Sequence, residues 1–184
     1  MNKEKGKLVL YSGASGVGKG TILKKLMERD PSVKLSVSDT TRAPREGEVN
    51  GVHYNFVTRE EFKRKIAEGG YLEYAEYCDN FYGTPTAQVE QMVGEGCKVF
   101  LEIEVQGALQ VMKKYPDILS IFILPPSFDE LEKRLRGRET EDEETIRKRL
   151  EQARLEISVR DRYKYCIVNK DVDKAVEEVL AVIG

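Results

Sequence analysis

A glycine-rich segment near the N-terminus has the composition and spacing of a phosphate-binding loop. The pattern G-x-x-x-x-G-K is met by the run Gly13, Ala14, Ser15, Gly16, Val17, Gly18 and Lys19. Glycines let the backbone turn successive N–H groups toward phosphate oxygens, and the lysine bridges the terminal phosphates. The glycines are spaced GxxGxG, which disfavours a dinucleotide-binding fingerprint. These residues predict binding of a nucleoside triphosphate, with a plain glycine-rich turn as the alternative.

The end of this loop departs from the usual pattern in the residue that binds the metal. Gly20 stands where Ser or Thr normally holds magnesium, and Thr21 follows one residue later. Magnesium often keeps several waters and binds through substrate phosphates. We therefore expect the ion to be held mainly by nucleotide oxygens and water.

A pair of arginines forms a second candidate site. Arg42 and Arg45 flank Pro44, and proline keeps the preceding backbone extended, so that two guanidinium forks are presented near each other. Such a pair suits the phosphate dianion of a nucleoside monophosphate. Solvated surface arginines are the alternative interpretation.

The pattern of elements indicates an α/β fold. Apolar, β-branched runs predict strands at Leu8–Tyr11, Val33–Val37, Val99–Val105, Ile118–Leu124 and Tyr165–Val168. Amphipathic helices are predicted at Lys19–Arg29 and Val172–Ile183. Strands that alternate with helices favour a parallel sheet covered on both faces.

Two stretches interrupt this alternation, and both predict insertions. Ser36–Thr84 contains short alternating pieces, Gly51–Val57 and Tyr71–Tyr77, around one helix that a Thr58…Glu61 capping box introduces. This stretch predicts a small mixed subdomain. In the second stretch, Ser127–Arg160, two helices are predicted from the capping boxes Ser127…Glu130 and Thr140…Glu143.

Composition restricts the classes of function. The 184 residues suit one domain, and 30 basic against 32 acidic residues leave a net charge of −2, which argues against a nucleic-acid or membrane-surface partner. Cys78, Cys97 and Cys166 lack CxxC spacing, and His53 is the single histidine, so neither residue type indicates a metal site. No apolar run reaches the length of a signal h-region or a membrane span. We expect a cytoplasmic protein.

Sequence blocks that extend from the first predicted strand to the last add a family resemblance. They are Ser36–Tyr54, Tyr71–Glu73, Asn80–Thr84, Glu102–Gly107, Ile121–Pro126, Arg134–Arg138 and Ile167–Asn169. Taken together these blocks resemble the guanylate kinases over nearly the whole chain. The resemblance implies a single domain with a three-layer P-loop NTPase core and a parallel sheet at about 1–35, 86–126 and 155–184. It also implies a GMP-binding subdomain at about 36–85 and a helical lid at about 127–154.

The resemblance further implies an activity and its site residues. The expected reaction is reversible, in-line phosphorylation of GMP, and of dGMP, by ATP with Mg²⁺, in purine nucleotide metabolism and GMP recycling. The implied contacts to the GMP phosphate are Arg42, Arg45, Tyr54 and Tyr82. Guanine donates hydrogen bonds where adenine has an acceptor at N1, so a carboxylate pairs with guanine only; the implied base-reading residues are Glu73 and Glu104, assisted by Ser38 and Thr84. The two tyrosines also fit ordinary strand positions.

The catalytic residues implied by the family are Lys19, Arg42, Arg134, Arg138 and Arg149, of which the last three close on the phosphates of ATP. Asn169 resembles a residue near the ATP base, and a strand-ending turn asparagine is the alternative. Glu102 resembles a position that faces the metal through water, whereas two solvated edge carboxylates are the alternative for Glu102 and Glu104.

Two other classes of protein remain as alternatives. A catalytically inactive guanylate-kinase-like module would bind phosphoproteins, but such modules degrade the phosphate loop and lid, whereas this chain keeps Lys19 and Arg149. A kinase for AMP or dTMP is disfavoured by Glu73 and Glu104. The expected partners are the small molecules GMP and ATP, and the sequence does not indicate a protein partner.

Overall fold

The protein has a mixed α/β fold. Nine strands and seven α-helices lie within residues 6–77, 79–137 and 142–184, which are the residues that this computed structural model describes. In chain order the strands are β1 (Lys7–Gly13), β2 (Val33–Leu35), β3 (Asp39–Thr40), β4 (Asn55–Phe56), β5 (Tyr71–Tyr77), β6 (Asn80–Pro85), β7 (Lys98–Glu102), β8 (Leu119–Leu124) and β9 (Tyr165–Val168). The helices are α1 (Lys19–Arg29), α2 (Arg59–Ala67), α3 (Thr86–Gly94), α4 (Val105–Lys114), α5 (Phe128–Arg136), α6 (Glu143–Ser158) and α7 (Val172–Ile183).

These elements divide into two compact units. The first unit holds the chain up to Leu8 together with Lys34–Ile118, and the second holds Val9–Val33 and Leu119–Gly184. The segment 36–85 lies wholly in the first unit. The finer division into core, acceptor-binding subdomain and lid remains a prediction.

The second unit is built on parallel strands in the order β1–β8–β9. Their central residues are apolar and fully buried, among them Leu10 and Phe122, as expected for strands with helices on both faces. Helices α1 and α7 pack together and carry two ion pairs, Lys25–Asp173 at 2.6 Å and Arg29–Glu177 at 2.5 Å. Both helices have the bounds that the sequence predicts.

The first unit contains a four-stranded mixed sheet in the order β4–β3–β6–β5. Strand β3 is parallel to β4 and antiparallel to β6, and β5 is antiparallel to β6. Phe62 of α2 is fully buried and stacks on Tyr71 and Phe81 at centroid distances of 4.4 and 5.2 Å. The α/β class, with a parallel sheet and a second mixed sheet, is therefore confirmed.

Several predicted boundaries are wrong. The strand predicted at Val99–Val105 ends at Glu102, because Glu104 is the N-cap of α4 and Val105 is its first residue. Of Gly51–Val57, only Asn55 and Phe56 form a strand. The N-cap of α6 is Asp142, whose carboxylate accepts the Thr145 N–H at 2.8 Å, and Asp serves there as well as the predicted Thr140. Thr140 itself lies outside the described residues.

The capping box predicted at Thr58 is confirmed, and at Ser127 one of the two predicted capping bonds is observed. Thr58 and Glu61 form the reciprocal capping box of α2, and Ser127 accepts the Glu130 N–H at the start of α5. Such bonds satisfy backbone donors that have no partner within the helix. They can be predicted because both partners lie three residues apart.

Candidate active site

The phosphate loop in the second unit connects β1 to α1. Gly16 and Gly18 have φ angles of +81° and +94°, and glycine adopts this left-handed region without the strain that a Cβ would cause. Gly18 is the N-cap of α1 and offers no side-chain cap. No side chain of the N-cap residue covers the start of α1, where the positive end of the helix dipole favours an anion.

Lys19 lies over its own loop. Its Nζ donates to the carbonyl oxygens of Gly13 at 2.8 Å and Ala14 at 3.1 Å. Next to it, Gly20 and Thr21 are exposed, and a Cβ on Gly20 would meet nothing within 4 Å. The lysine ammonium is thus positioned at the loop, and the Gly20 position has room for a side chain.

Two residues from the end of β9 and from α5 support the loop. Asn169 is buried, with 3% of its surface exposed, and its Nδ2 donates to the carbonyl oxygen of Val17 at 2.8 Å. Arg134 donates to the backbone oxygen of Asn169 at 3.2 Å and pairs with Glu130 at 3.6 Å. The predicted residues Asn169 and Arg134 are therefore next to the loop.

Helix α6 reaches the loop at Ser15. The Arg149 guanidinium donates to Ser15 Oγ from Nε at 3.3 Å and from Nη2 at 3.1 Å. Glu156, two turns further along the same helix, accepts the backbone N–H of Ser15 at 2.9 Å. Sequence reasoning missed Glu156, because 141 residues separate it from Ser15. Arg138, the remaining predicted arginine of this group, lies outside the described residues.

A separate pocket lies in the first unit and brings the predicted acceptor-site residues together. Its volume is about 210 Å³. Seven of the eight residues expected to contact GMP line it, namely Ser38, Arg42, Arg45, Tyr54, Glu73, Tyr82 and Glu104. Glu102 and Gly107 line it as well. Thr84, the eighth, is fully buried behind the wall.

The basic group of this pocket is organised around Arg42. Its Nη1 and Nη2 donate to the two carboxylate oxygens of Glu48 at 3.0 and 2.8 Å. The guanidinium also lies 5.5 Å from the ring centroid of Tyr54, which meets Tyr82 edge-on at 6.0 Å. Arg45 donates its backbone N–H to Glu48 at 2.8 Å, whereas its guanidinium is exposed and makes no ion pair within the described part of the chain.

Glu48 is a second residue that sequence reasoning missed. Hydrogen bonds from Arg42 and from the Arg45 backbone lower the pKa of Glu48 to about 2. The same pairing raises the pKa of Arg42, and burial raises the pKa of Tyr54. At neutral pH the arginine is therefore charged and the tyrosine keeps its hydroxyl proton.

The acidic group of the pocket is organised around Glu73, which is 6% exposed. Thr84 Oγ1 donates to Glu73 Oε1 at 2.6 Å. Burial, followed by the negative charge of Glu104, raises the pKa of Glu73, whereas the hydrogen bonds from Thr84 oppose that rise. Glu73 is thus a hydrogen-bond acceptor that lines the pocket and has one oxygen, Oε1, committed to Thr84.

Glu102 and Glu104 reach the pocket by a different route from the predicted one. The predicted strand Val99–Val105 would include both residues, but Glu102 is the last residue of β7 and Glu104 caps α4. Both nevertheless line the pocket. Strand β7 ends immediately before Ile103, and the turn into α4 brings the Glu104 carboxylate to the pocket.

The described residues, 6–77, 79–137 and 142–184, include neither a cluster of metal ligands nor a helix able to cross a membrane. No group of three or more His, Cys, Asp or Glu side chains among them is arranged to hold a metal ion. None of the helices within these residues has the length and hydrophobicity needed to cross a membrane.

Known proteins resemble this chain over almost its whole length. Residues 5–184 match the family model described as Guanylate kinase. The guanylate kinase of Oceanobacillus iheyensis is 51% identical over 183 residues, which cover 100% of this chain and 89% of the relative. That of Streptococcus thermophilus is 53% identical over 181 residues, covering 98% and 87%.

A solved structure agrees with these relatives. The crystal structure of guanylate kinase from Anaplasma phagocytophilum matches with a TM-score of 0.77 and 36% sequence identity, and covers 98% of this chain and 86% of that chain. Because about half of the residues are shared with the curated relatives from end to end, the chain belongs to the guanylate kinase family, whose known activity is the phosphorylation of GMP by ATP.

Proposed function

We propose that this chain transfers the γ-phosphoryl group of ATP to the phosphate of GMP, and of dGMP, through the residues described above. The observation that supports this most strongly is that one pocket combines two arginines and two tyrosines with a buried glutamate. The arginines and tyrosines suit a phosphate, and the glutamate suits the edge of guanine that donates hydrogen bonds. One GMP molecule satisfies both.

The phosphate of GMP is assigned to Arg42, Arg45, Tyr54 and Tyr82. A phosphate offers three strong acceptor oxygens, and arginine forks bind such groups with two parallel hydrogen bonds. Glu48 holds the Arg42 guanidinium through both of its carboxylate oxygens. The guanidinium is therefore oriented before the ligand arrives, and the N–H groups that it does not donate to Glu48 would bind the phosphate. This orientation reduces the entropy lost on binding.

Guanine is assigned to Glu73 and Glu104, with Ser38 beside them. The N1–H and N2–H₂ groups of guanine donate to carboxylates, whereas adenine would place its N1 acceptor against them. Thr84 takes part indirectly, because its hydroxyl fixes Glu73 Oε1 at 2.6 Å. A site that leaves a buried polar group unpaired with the wrong ligand discriminates strongly.

ATP is assigned to the phosphate loop, Gly13–Thr21, with Lys19 on its terminal phosphates. Arg134 and Arg149 are joined to the loop through Asn169 and Ser15, which supports assigning their charges to the negative charge that develops during phosphoryl transfer. Asn169 is proposed to support the loop beside the ATP base. Arg138 is proposed to act with these arginines in a lid at about 127–154.

Magnesium fits the donor set of this chain. The ion usually takes one or two carboxylates and completes its shell with phosphate oxygens and water, and Glu102, which lines the pocket, is the carboxylate we assign to it through water. Bound in this way, Mg²⁺ would neutralise phosphate charge during transfer. Gly20 leaves the oxygens of ATP to supply the rest.

The reaction that these assignments support is an in-line displacement. An oxygen of the GMP phosphate forms a bond to the γ-phosphorus, the bond to the β–γ bridging oxygen breaks, and ADP leaves with the electron pair. One phosphoanhydride bond breaks as another forms, so the transfer is reversible, and Lys19 and the arginines would stabilise the charge on the transferred group in both directions. We propose that the enzyme serves purine nucleotide metabolism and GMP recycling in the cytoplasm.

A coupled assay of ADP release tests the proposal. Purified protein with ATP and Mg²⁺ is given GMP, dGMP, AMP, CMP, UMP and dTMP in turn. We expect GMP, followed by dGMP, to have a kcat/KM at least about 10³-fold above that of AMP. Equal rates with AMP, or no transfer to any of these acceptors, would refute the assignment.

A further inference from the structure

Gly107 lies in the first turn of α4, directly against the carboxylate of Glu73. A Cβ built on Gly107 would lie 3.1 Å from Glu73 Cδ and nearer still to Oε2, well inside van der Waals contact. Gly107 is itself buried and lines the acceptor pocket. The bare Cα of this residue is therefore one wall of the space that the carboxylate occupies.

Neighbouring residues on the other sides of Glu73 also fix its position. The pairing of β5 with β6 shifts its register between Tyr71 and Tyr74, and such a bulge re-aims the side chains within it. Thr84 holds Oε1 at 2.6 Å. Helix α4 also binds the next residue of β5, because Gln110 Nε2 donates to the backbone oxygen of Tyr74 at 3.0 Å. The helix and the strand are thus fixed to each other beside Glu73.

A glycine here is unfavourable for the helix itself. Among ordinary residues only proline is worse than glycine in a helix, and alanine is the most favourable. Gly107 does not have a positive φ that would demand glycine. The close approach of the Glu73 carboxylate is the contact that an alanine at this position would disturb.

We propose that Gly107 is a specificity-determining residue, because the absence of a Cβ creates the space in which the Glu73 carboxylate is held facing the guanine edge. The inference rests on the proposed function, in which Glu73 reads the base. It goes further by assigning the position of that carboxylate to a residue that makes no hydrogen bond to it.

Replacing Gly107 by alanine should impair the acceptor site without unfolding the protein. The atoms that the new methyl group meets belong to the far end of a flexible side chain, so the fold can adjust by moving the carboxylate. That movement displaces the atom that accepts from guanine. A displacement of about 1 Å in a binding group costs roughly 10- to 100-fold in rate, so we expect Gly107→Ala to lower kcat/KM for GMP by that factor. The poor activity with AMP should change by less than about threefold, since AMP does not pair with Glu73.

The experiment is a double-mutant cycle of Gly107→Ala and Glu73→Ala in the full-length enzyme. Gly94→Ala in α3 is the matched control, because it is also a helical glycine but a Cβ there would meet nothing within 4 Å. For each variant kcat/KM is measured with GMP and AMP, Kd for GMP by calorimetry, and Tm by thermal unfolding. We expect Gly94→Ala to behave as the unaltered enzyme and Gly107→Ala to keep its Tm within a few degrees.

The coupling between the two substitutions decides the inference. If Gly107 acts through Glu73, adding Gly107→Ala to Glu73→Ala changes the Kd for GMP by less than about twofold, since the side chain that the methyl group would meet is gone. A Gly107→Ala variant with unaltered GMP activity overturns the inference, and so does an equal loss in both backgrounds. If Glu73→Ala alone leaves the preference for GMP over AMP unchanged, the proposed base-reading role of Glu73 is wrong. That result is measured on a different variant, so it is distinguished from a failure of the inference about Gly107.

Discussion

Replacement of Glu73 by glutamine is the most direct test of base recognition. Glutamine keeps the size of the side chain, and its amide oxygen can still accept the Thr84 hydroxyl that now lies 2.6 Å from Oε1. The amide nitrogen then takes the place of Oε2 and presents a donor to the donors of guanine. The substitution therefore changes one acceptor into a donor and removes one charge, with little change in packing.

The size of the effect follows from two contributions. A hydrogen bond to a charged group contributes about 1.5–3 kcal/mol, and a buried donor left without an acceptor costs a further 1–3 kcal/mol or so. Because Glu104 stays in place, we expect a loss of about 2–4 kcal/mol in transition-state stabilisation. At about 1.36 kcal/mol per factor of ten, kcat/KM for GMP falls roughly 30- to 1000-fold. The activity with AMP stays unchanged or improves.

The assay is coupled ADP release with GMP and AMP, and Glu76→Gln is the matched control. Glu76 lies on the same strand, but it is exposed and paired with Arg59 at 3.4 Å, outside the pocket. The control should keep both activities. If Glu73→Gln lowers the GMP and AMP activities by the same factor, Glu73 has a structural role and the base-reading argument is refuted.

The pH dependence of kcat/KM for GMP is a second test of the role of Glu73. Burial raises the pKa of Glu73, so the carboxylate becomes protonated at a higher pH than an ordinary glutamate. A protonated Glu73 has lost the charge that strengthens its bond to guanine. The kcat/KM for GMP should therefore fall as pH falls through a value above the ordinary 4.5, and this acid limb should be absent from the Glu73→Gln variant.

Three further substitutions test the remaining assignments. Lys19→Met should fold normally and lose at least about 100-fold in kcat, because the ammonium stabilises charge during transfer; near-native turnover in a folded variant would contradict the phosphate-loop assignment. Gly20→Ser should retain activity and lower the Mg²⁺ concentration needed for half-maximal rate, because a side chain there meets open space; loss of all activity with an intact fold would contradict it. Arg42→Ala should raise KM for GMP and AMP alike by about 10- to 100-fold, since the phosphate is common to both and a charged hydrogen bond is lost. A change confined to GMP would place Arg42 at the base instead of the phosphate.

The features that could be predicted from the sequence are those in which the partners lie close along the chain. The phosphate loop is a run of consecutive residues, and helix α1 has the predicted bounds because its apolar face repeats within one segment. The capping bond of Thr58 spans three residues. In each of these cases the local sequence alone satisfies the physical requirement.

The features that were missed join residues far apart or depend on a local irregularity. Glu156 accepts from Ser15 across 141 positions, and no periodicity connects the two. The two residues inside the register shift, Leu72 and Glu73, are neither glycine nor proline and give no local signal of a bulge. Strands β3 and β4 are two residues long, too short for any alternation to be seen. The family resemblance supplied Glu73, but it gave no reason for the position of its carboxylate.

The charges of the acceptor pocket explain why tyrosines accompany the arginines there. A phosphate monoester carries close to two negative charges at neutral pH, whereas Glu48 already offsets one of the two arginine charges through its paired contact with Arg42. Arg42, Arg45 and Glu48 together therefore carry a net charge of only about +1, which is smaller than the charge of the phosphate. Neutral hydrogen-bond donors are needed to complete the binding of the phosphate. Because burial raises the pKa of Tyr54, its hydroxyl keeps the proton that it would donate to the phosphate. A third arginine would add charge, but a protonated tyrosine adds a donor while leaving the nearby carboxylates free to recognise guanine.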